Sequence, residues 1–108
     1  MITIAELNDK MRQQMFTDSH NKIVMTVGVS ALPLIEQVCL LNKIRRFNDF
    51  NKSNDPYQEH DFGRIEHNGI TYFFKIDYYD TSMEYGSDDP SNPDITIRVL
   101  TVMRADEY

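Results

Sequence analysis

The chain contains a single cysteine and no tryptophan. Cys39 alone excludes an intramolecular disulfide and a multi-cysteine zinc site. Its place in an apparent helix predicts a buried core thiol. Long apolar runs are also missing. No stretch approaches the roughly 20 residues of a membrane span, and the first residues lack the apolar stretch of a signal peptide. A soluble, cytoplasmic protein without a membrane partner is expected. Positive charge is scarce as well: 11 Lys and Arg stand against 17 Asp and Glu, a formal net charge of −6. Such a chain repels phosphate, which argues against direct binding of nucleic acid unless a local basic patch intervenes. There is no internal repeat and no low-complexity tract. No spacing matches a zinc protease, a phosphate loop or a Ca²⁺ hand. No Ser or Thr has a His/Asp arrangement that supports nucleophilic hydrolysis.

What is present is the composition of a packed domain. Hydrophobic residues make up 41% and charged residues 26%, which sets wholesale disorder aside. At 108 residues the chain suffices for one core, so residues 1–108 are read as a single domain. Thr3-Ile4-Ala5-Glu6 has the form of a capping box, with Ile2 and Leu7 placed for a hydrophobic staple. Ile4, Leu7, Met11 and Met15 recur at helical spacing, predicting an amphipathic helix over 4–16 with Asp9, Lys10, Arg12 and Gln13 outward. Residues 22–29 alternate as a strand. Ser30 is read as the cap of a second helix with Pro33 in its first turn. Leu34, Val38, Leu41 and Ile44 or Arg45 form its stripe, widened by Ile35, Leu40 and Phe47. Lys43, Arg45 and Arg46 complement the dipole of its final turns.

Phe62–His67, Asn68-Gly69 and Ile70–Tyr79 spell a β-hairpin, since Asn-Gly supplies the positive φ angles of a type I′ turn. Residues 95–104 alternate again as a last strand. The expected fold is α+β: a mainly antiparallel four-stranded sheet with two helices on one face, in the order α-β-α-β-β-β. Ile70, Tyr72, Phe74, Ile76 and Tyr78 share one side of the long strand and should form the floor under the helices. The other side carries Thr71, Phe73, Lys75, Asp77 and Tyr79, with Arg98 and Arg104 assigned to it from the last strand. Cross-strand ion pairing would account for those charges. An edge near 22–29 or 95–104 leaves pairing between two copies, a homodimer, open.

Charge is distributed unevenly. Residues 55–108 hold four Lys and Arg against twelve Asp and Glu, and the acids gather in two Pro-broken loops, 54–61 and 86–94. Fixed fields of one sign select basic partners or cations. Glu59, His60 and Asp61, with Asp55 close in sequence and Asp77 and Asp80 on the hairpin arm, are the candidate metal ligands or catalytic groups. Consecutive residues of an extended segment diverge, however. The structural alternative is a turn in which Asn54-Asp55-Pro56 bonds to the backbone and His60 or Asp61 pins the loop to the sheet. Asp88-Asp89-Pro90-Ser91-Asn92-Pro93-Asp94 is rich in oxygens but lacks the Gly and terminal Glu of a Ca²⁺ loop, and reads as a stiff surface turn. His20 and His67 fall at ordinary solvent positions. No cofactor is implied.

Several blocks carry a resemblance: Asn54-Asp55-Pro56-Tyr57, Glu59-His60-Asp61-Phe62-Gly63, Lys75-Ile76-Asp77-Tyr78-Tyr79-Asp80, Gly86-Ser87 with Asp89-Pro90, and Arg98-Val99-Leu100-Thr101-Val102-Met103 through Glu107-Tyr108. From about Thr26 onward the chain resembles a small bacterial family catalogued as domain of unknown function 3768, found largely in proteobacteria and often on mobile elements. It departs from the family pattern at Phe73-Phe74, where Phe-Trp is expected, and at Asp88, where a small residue is common. The family brings no activity. The resemblance implies a setting in which small acidic proteins often inhibit host defence.

Three functions compete. The first is an inhibitor that binds a basic, nucleic-acid-handling host complex, of anti-CRISPR or anti-restriction type, by imitating a phosphate path. Its contacts would come from Asp55, Glu59, Asp61, Asp80, Glu84, Asp88, Asp89 and Asp94, with Tyr57, Tyr79 and Tyr85 as aromatic anchors. The second is a small metal-dependent hydrolase or nuclease using Glu59, His60, Asp61 and Asp77 to activate water. The third is a sponge for a nucleotide signal, held by Lys75 and Arg98 with Phe73 and Tyr79 for stacking.

Overall fold

The computed structural model describes residues 2–108. The first helix, α1 (Ile4–Gln13), starts as its sequence dictates. The Glu6 amide donates to Thr3 Oγ1 at 3.1 Å and the Thr3 amide donates to Glu6 Oε1 at 3.2 Å, closing both limbs of the box. Leu7, Met11 and Met15 are buried as expected. Arg12 departs from expectation: it is 2% exposed rather than outward. Its guanidinium reaches the last carbonyls of the neighbouring helix, donating to Ile44 O at 3.1 Å and Phe47 O at 2.7 Å, and pairs with Asp9. Ile44 O also accepts from the Phe47 amide at 3.2 Å, so the guanidinium adds a further bond there and sets positive charge at the helix's C-terminal end, where the dipole favours it.

Strand β1 (Lys22–Met25) is shorter than the expected run over 22–29. The chain turns at Thr26 into a single helical turn, α2 (Val27–Ser30). Glu107, near the other end of the chain, accepts from the Thr26 hydroxyl at 2.7 Å and the Gly28 amide at 2.8 Å. This long-range clamp overrides the local alternation. Helix α3 (Leu34–Arg45) accordingly starts after Pro33, not after Ser30. It buries Leu40 and Ile44, with Leu41 and Phe47 packed beside them, but leaves Leu34, Ile35 and Val38 exposed. Cys39 is likewise exposed, correcting the expectation of a core thiol.

The hairpin of β2 (Phe62–His67) and β3 (Ile70–Tyr79) has the residues expected of it, and Asn68 and Gly69 stand at φ +51° and +76°. A short 3₁₀ turn, Pro93–Ile95, precedes β4 (Ile97–Arg104). The sheet has the order β1-β4-β3-β2. Strand β3 is antiparallel to β2 and β4, whereas β1 pairs with β4 in parallel. The sheet is therefore mixed, not the mainly antiparallel sheet expected. The reason is one of direction: a helical crossover lets β2 run the same way as β1, and two hairpin reversals bring β4 back to that direction beside β1. Because β4 is an interior strand, residues 95–104 offer no edge for self-pairing.

The core lies between one sheet face and the helices α1 and α3. Tyr72, Phe74, Ile76, Leu100 and Val102 meet Met11, Met15, Leu40 and Ile44 there. Among the described residues no helix is long and apolar enough to cross a membrane.

Candidate functional site

The register of β3 on β4 pairs Tyr78 with Arg98, which puts Arg98 on the covered face of the sheet. It does not share a face with Lys75, as the sequence had suggested. Lys75 instead pairs with Asp77 at 2.8 Å along its own strand, on the open face. Arg98 is 2% exposed. Its Nε donates to Asn8 Oδ1 at 2.6 Å, its Nη2 donates to Pro90 O, and its guanidinium lies 5.2 Å from the centre of the Tyr78 ring. Lys75 and Arg98 therefore stand on opposite faces of the sheet and do not form one site.

Asn8 ties the first acidic loop to the sheet. Its amide donates to Glu59 O at 2.9 Å and to the Tyr78 hydroxyl at 2.8 Å. That hydroxyl donates in turn to Glu59 Oε1 at 2.9 Å, and burial raises its pKa. The loop before β2 and the loop after β3 lie at the same end of the sheet, since the hairpin's first strand begins near where its second ends. Arg98, through Asn8 and Pro90 O, fastens both to α1.

The Glu59-His60-Asp61 segment is held internally. Asp55 is 5% exposed, and its Oδ1 accepts from the amides of Glu59 at 2.9 Å and His60 at 3.0 Å. Left-handed backbone at Gln58 (φ +56°) and His60 (φ +58°) turns these amides inward. His60 Nδ1 lies 2.9 and 3.0 Å from the two Asp9 oxygens, and its ring stacks on Phe50 with centroids 4.0 Å apart. Asp61 O accepts from the Ile76 amide, so the loop is tied to the sheet. Asp55 is thus a loop anchor and not a surface contact. The turn reading of this segment accounts for Asp55 and His60. Among the described residues, no group of three His, Cys, Asp or Glu is arranged to hold a metal ion.

Asp61 is only partly buried, and its carboxyl is raised above its ordinary value by burial first and then by the charges of Glu59, Asp55 and Asp77. The second loop is organised by Asp80, whose Oδ1 accepts from the Ser82 hydroxyl at 2.8 Å and the Glu84 amide at 3.2 Å. Those bonds, the Ser82 hydroxyl foremost, hold Asp80 below the usual carboxylate range. Asp89 accepts from Ser91 and Asn92 accepts from the Asp94 amide, so the turn closes on itself. Glu84, Asp88 and Asp94 are exposed, as are Tyr57 at 84% and Tyr85 at 71%. Among the described residues no donor reaches the carboxylates of Glu84, Asp88 or Asp94.

Asn8, Asp9 and Arg12 escaped the sequence reading of the site. A signal existed: residues 4, 8 and 12 follow each other at i+4 beside the buried 7, 11 and 15. Polar residues in that stripe must find partners inside. His67, read as a solvent position, is buried and lies 2.6 Å from Glu36 Oε2, while His20 Nε2 sits 2.9 Å from Thr96 O.

The chain belongs to the family described as "Protein of unknown function (DUF3768)", whose family model matches residues 25–107. No curated protein and no solved structure gives a significant match.

Proposed function

We propose that this is a cytoplasmic binding protein which occupies a basic surface of a nucleic-acid-handling host complex, of anti-CRISPR or anti-restriction type, in place of the nucleic acid. One observation carries the reading. Glu84, Asp88 and Asp94 present carboxylates free of internal bonds, on a loop whose turns are closed by Asp80, Asp89 and Asn92. A loop stiffened in this way loses little conformational entropy on docking. Tyr85 beside them and Tyr57 on the neighbouring loop offer exposed rings of the kind that anchor interfaces. Glu59, Asp61, Asp80 and Asp89 strengthen the negative field behind these contacts, and Asp55 shapes the loop that carries Tyr57.

The test is competition. The protein is titrated into DNA complexes of a panel of restriction enzymes and CRISPR effectors, beside a variant carrying Glu84→Lys, Asp88→Lys and Asp94→Lys. All three positions are exposed, so the fold is expected to survive. The wild type should displace DNA from at least one complex and the variant should not. Displacement should also weaken steeply between about 50 and 200 mM salt, as a charge-driven contact requires. Displacement that is indifferent both to salt and to the three reversals would refute the reading.

A further inference from the structure

Arg98 is a buried cation without a counter-ion. A guanidinium inside a protein ordinarily meets a carboxylate, because an uncompensated charge there is costly. Here its partners are neutral: the Asn8 side-chain oxygen, the Pro90 carbonyl and the face of Tyr78. Among the described residues Arg98 forms no salt bridge. Burial lowers its pKa, and Glu59, which opposes that shift from a distance, already accepts from Tyr78.

Arg98 lines a cavity of about 260 Å³ between α1 and the segment leading into β4. Lys10 and His20 line the same cavity, and Leu7, Met11 and Pro93 supply its apolar walls. Asp18 is the carboxylate present, but its oxygens are engaged by the amides of His20 and Asn21 and by the Asn21 side chain, at 2.8, 3.3 and 2.8 Å. These bonds keep Asp18 ionised, so Lys10 and Arg98 together outweigh it by one positive charge within a protein of net charge −6. Its size falls just below the roughly 300–1,000 Å³ of pockets that hold drug-sized ligands.

We propose that this cavity binds a small organic anion, with a carboxylate or phosphate head against Arg98, Lys10 and His20 and a short apolar body against Leu7, Met11 and Pro93. Such a head would supply the counter-charge that Arg98 lacks. This proposal uses none of the outward acidic residues and stands independently of the partner surface.

Thermal unfolding and calorimetry on the full chain would test it, with inorganic phosphate, acetate, butyrate and hexanoate as probes against chloride at matched ionic strength. At least one probe should raise the unfolding temperature saturably beyond chloride. Phosphate exceeding the carboxylates identifies a phosphate head; affinity growing with chain length identifies a carboxylic acid. Because Arg98→Met disturbs the interior, the diagnostic variant is Lys10→Met, at an exposed position. It should weaken binding about two- to fivefold, the range for one partly solvated charge. If no probe exceeds chloride at tens of millimolar, or if Lys10→Met combined with His20→Gln binds as the wild type does, the inference is overturned.

Discussion

Asn8 donates to the Glu59 carbonyl and the Tyr78 hydroxyl while its own oxygen accepts from Arg98. Three elements and one loop thus depend on one uncharged side chain that is fully buried. Removing it leaves a buried guanidinium and a buried carbonyl short of partners, and such groups cost far more unpaired than a satisfied bond contributes. Asn8→Ala should therefore lower unfolding stability by about 3 kcal/mol, measured by urea denaturation. A loss of under about 0.5 kcal/mol would mean that water replaces the amide. Single residues were the least legible scale in the sequence. Asn8 and Arg12 look like surface residues of an amphipathic helix until the partners that enclose them are known, and those partners lie far away in the chain. His67 and Cys39 exchanged their expected environments for the same reason.

Elements were read best where their determinants are local. The capping box of α1 and the Asn68-Gly69 turn each lie within four consecutive residues, and both formed as read. Strand β2 also explains the block Phe62-Gly63. A methyl group on Gly63 would overlap the Phe74 ring and stand 2.8 Å from Phe47 Cε1, so glycine admits the aromatic floor to the edge strand. Gly63→Ala should destabilise by about 1–3 kcal/mol, the cost of overpacking a filled core, with a matching drop in the denaturant midpoint at unchanged m-value. A neutral result would show that the Phe74 ring moves aside freely. Where the determinant is remote, reading failed. The alternation over 22–29 continues through Val27 and Val29, yet Glu107 captures Thr26 and Gly28 and the segment coils after Met25.

At the scale of the whole molecule, negative charge concentrates around the loop end of the sheet, and Asp61 registers it. Its carboxyl is raised above 3.8 by burial, then by Glu59, Asp55 and Asp77. The native state therefore holds this proton to higher pH than the unfolded chain does. Stability is least impaired below 3.8 and declines as pH rises through the interval up to the raised native value. Asp61→Asn should accordingly raise the unfolding temperature at pH 7, and the advantage should fade as pH falls through the carboxylate range. An advantage that does not change with pH would assign the effect to packing instead of charge.

The order of most elements, the hairpin and its turn, and the uneven charge of the two halves follow from the sequence alone, because each rests on residues close together in the chain. The parallel pairing of β1 with β4, the burial of Arg98 and the conversion of Asp55 from surface charge to loop anchor were decided by tertiary structure. Each depends on which residues the crossover and the β3–β4 register bring face to face, and solvation, not spacing, then determines whether a charge points outward or is held within.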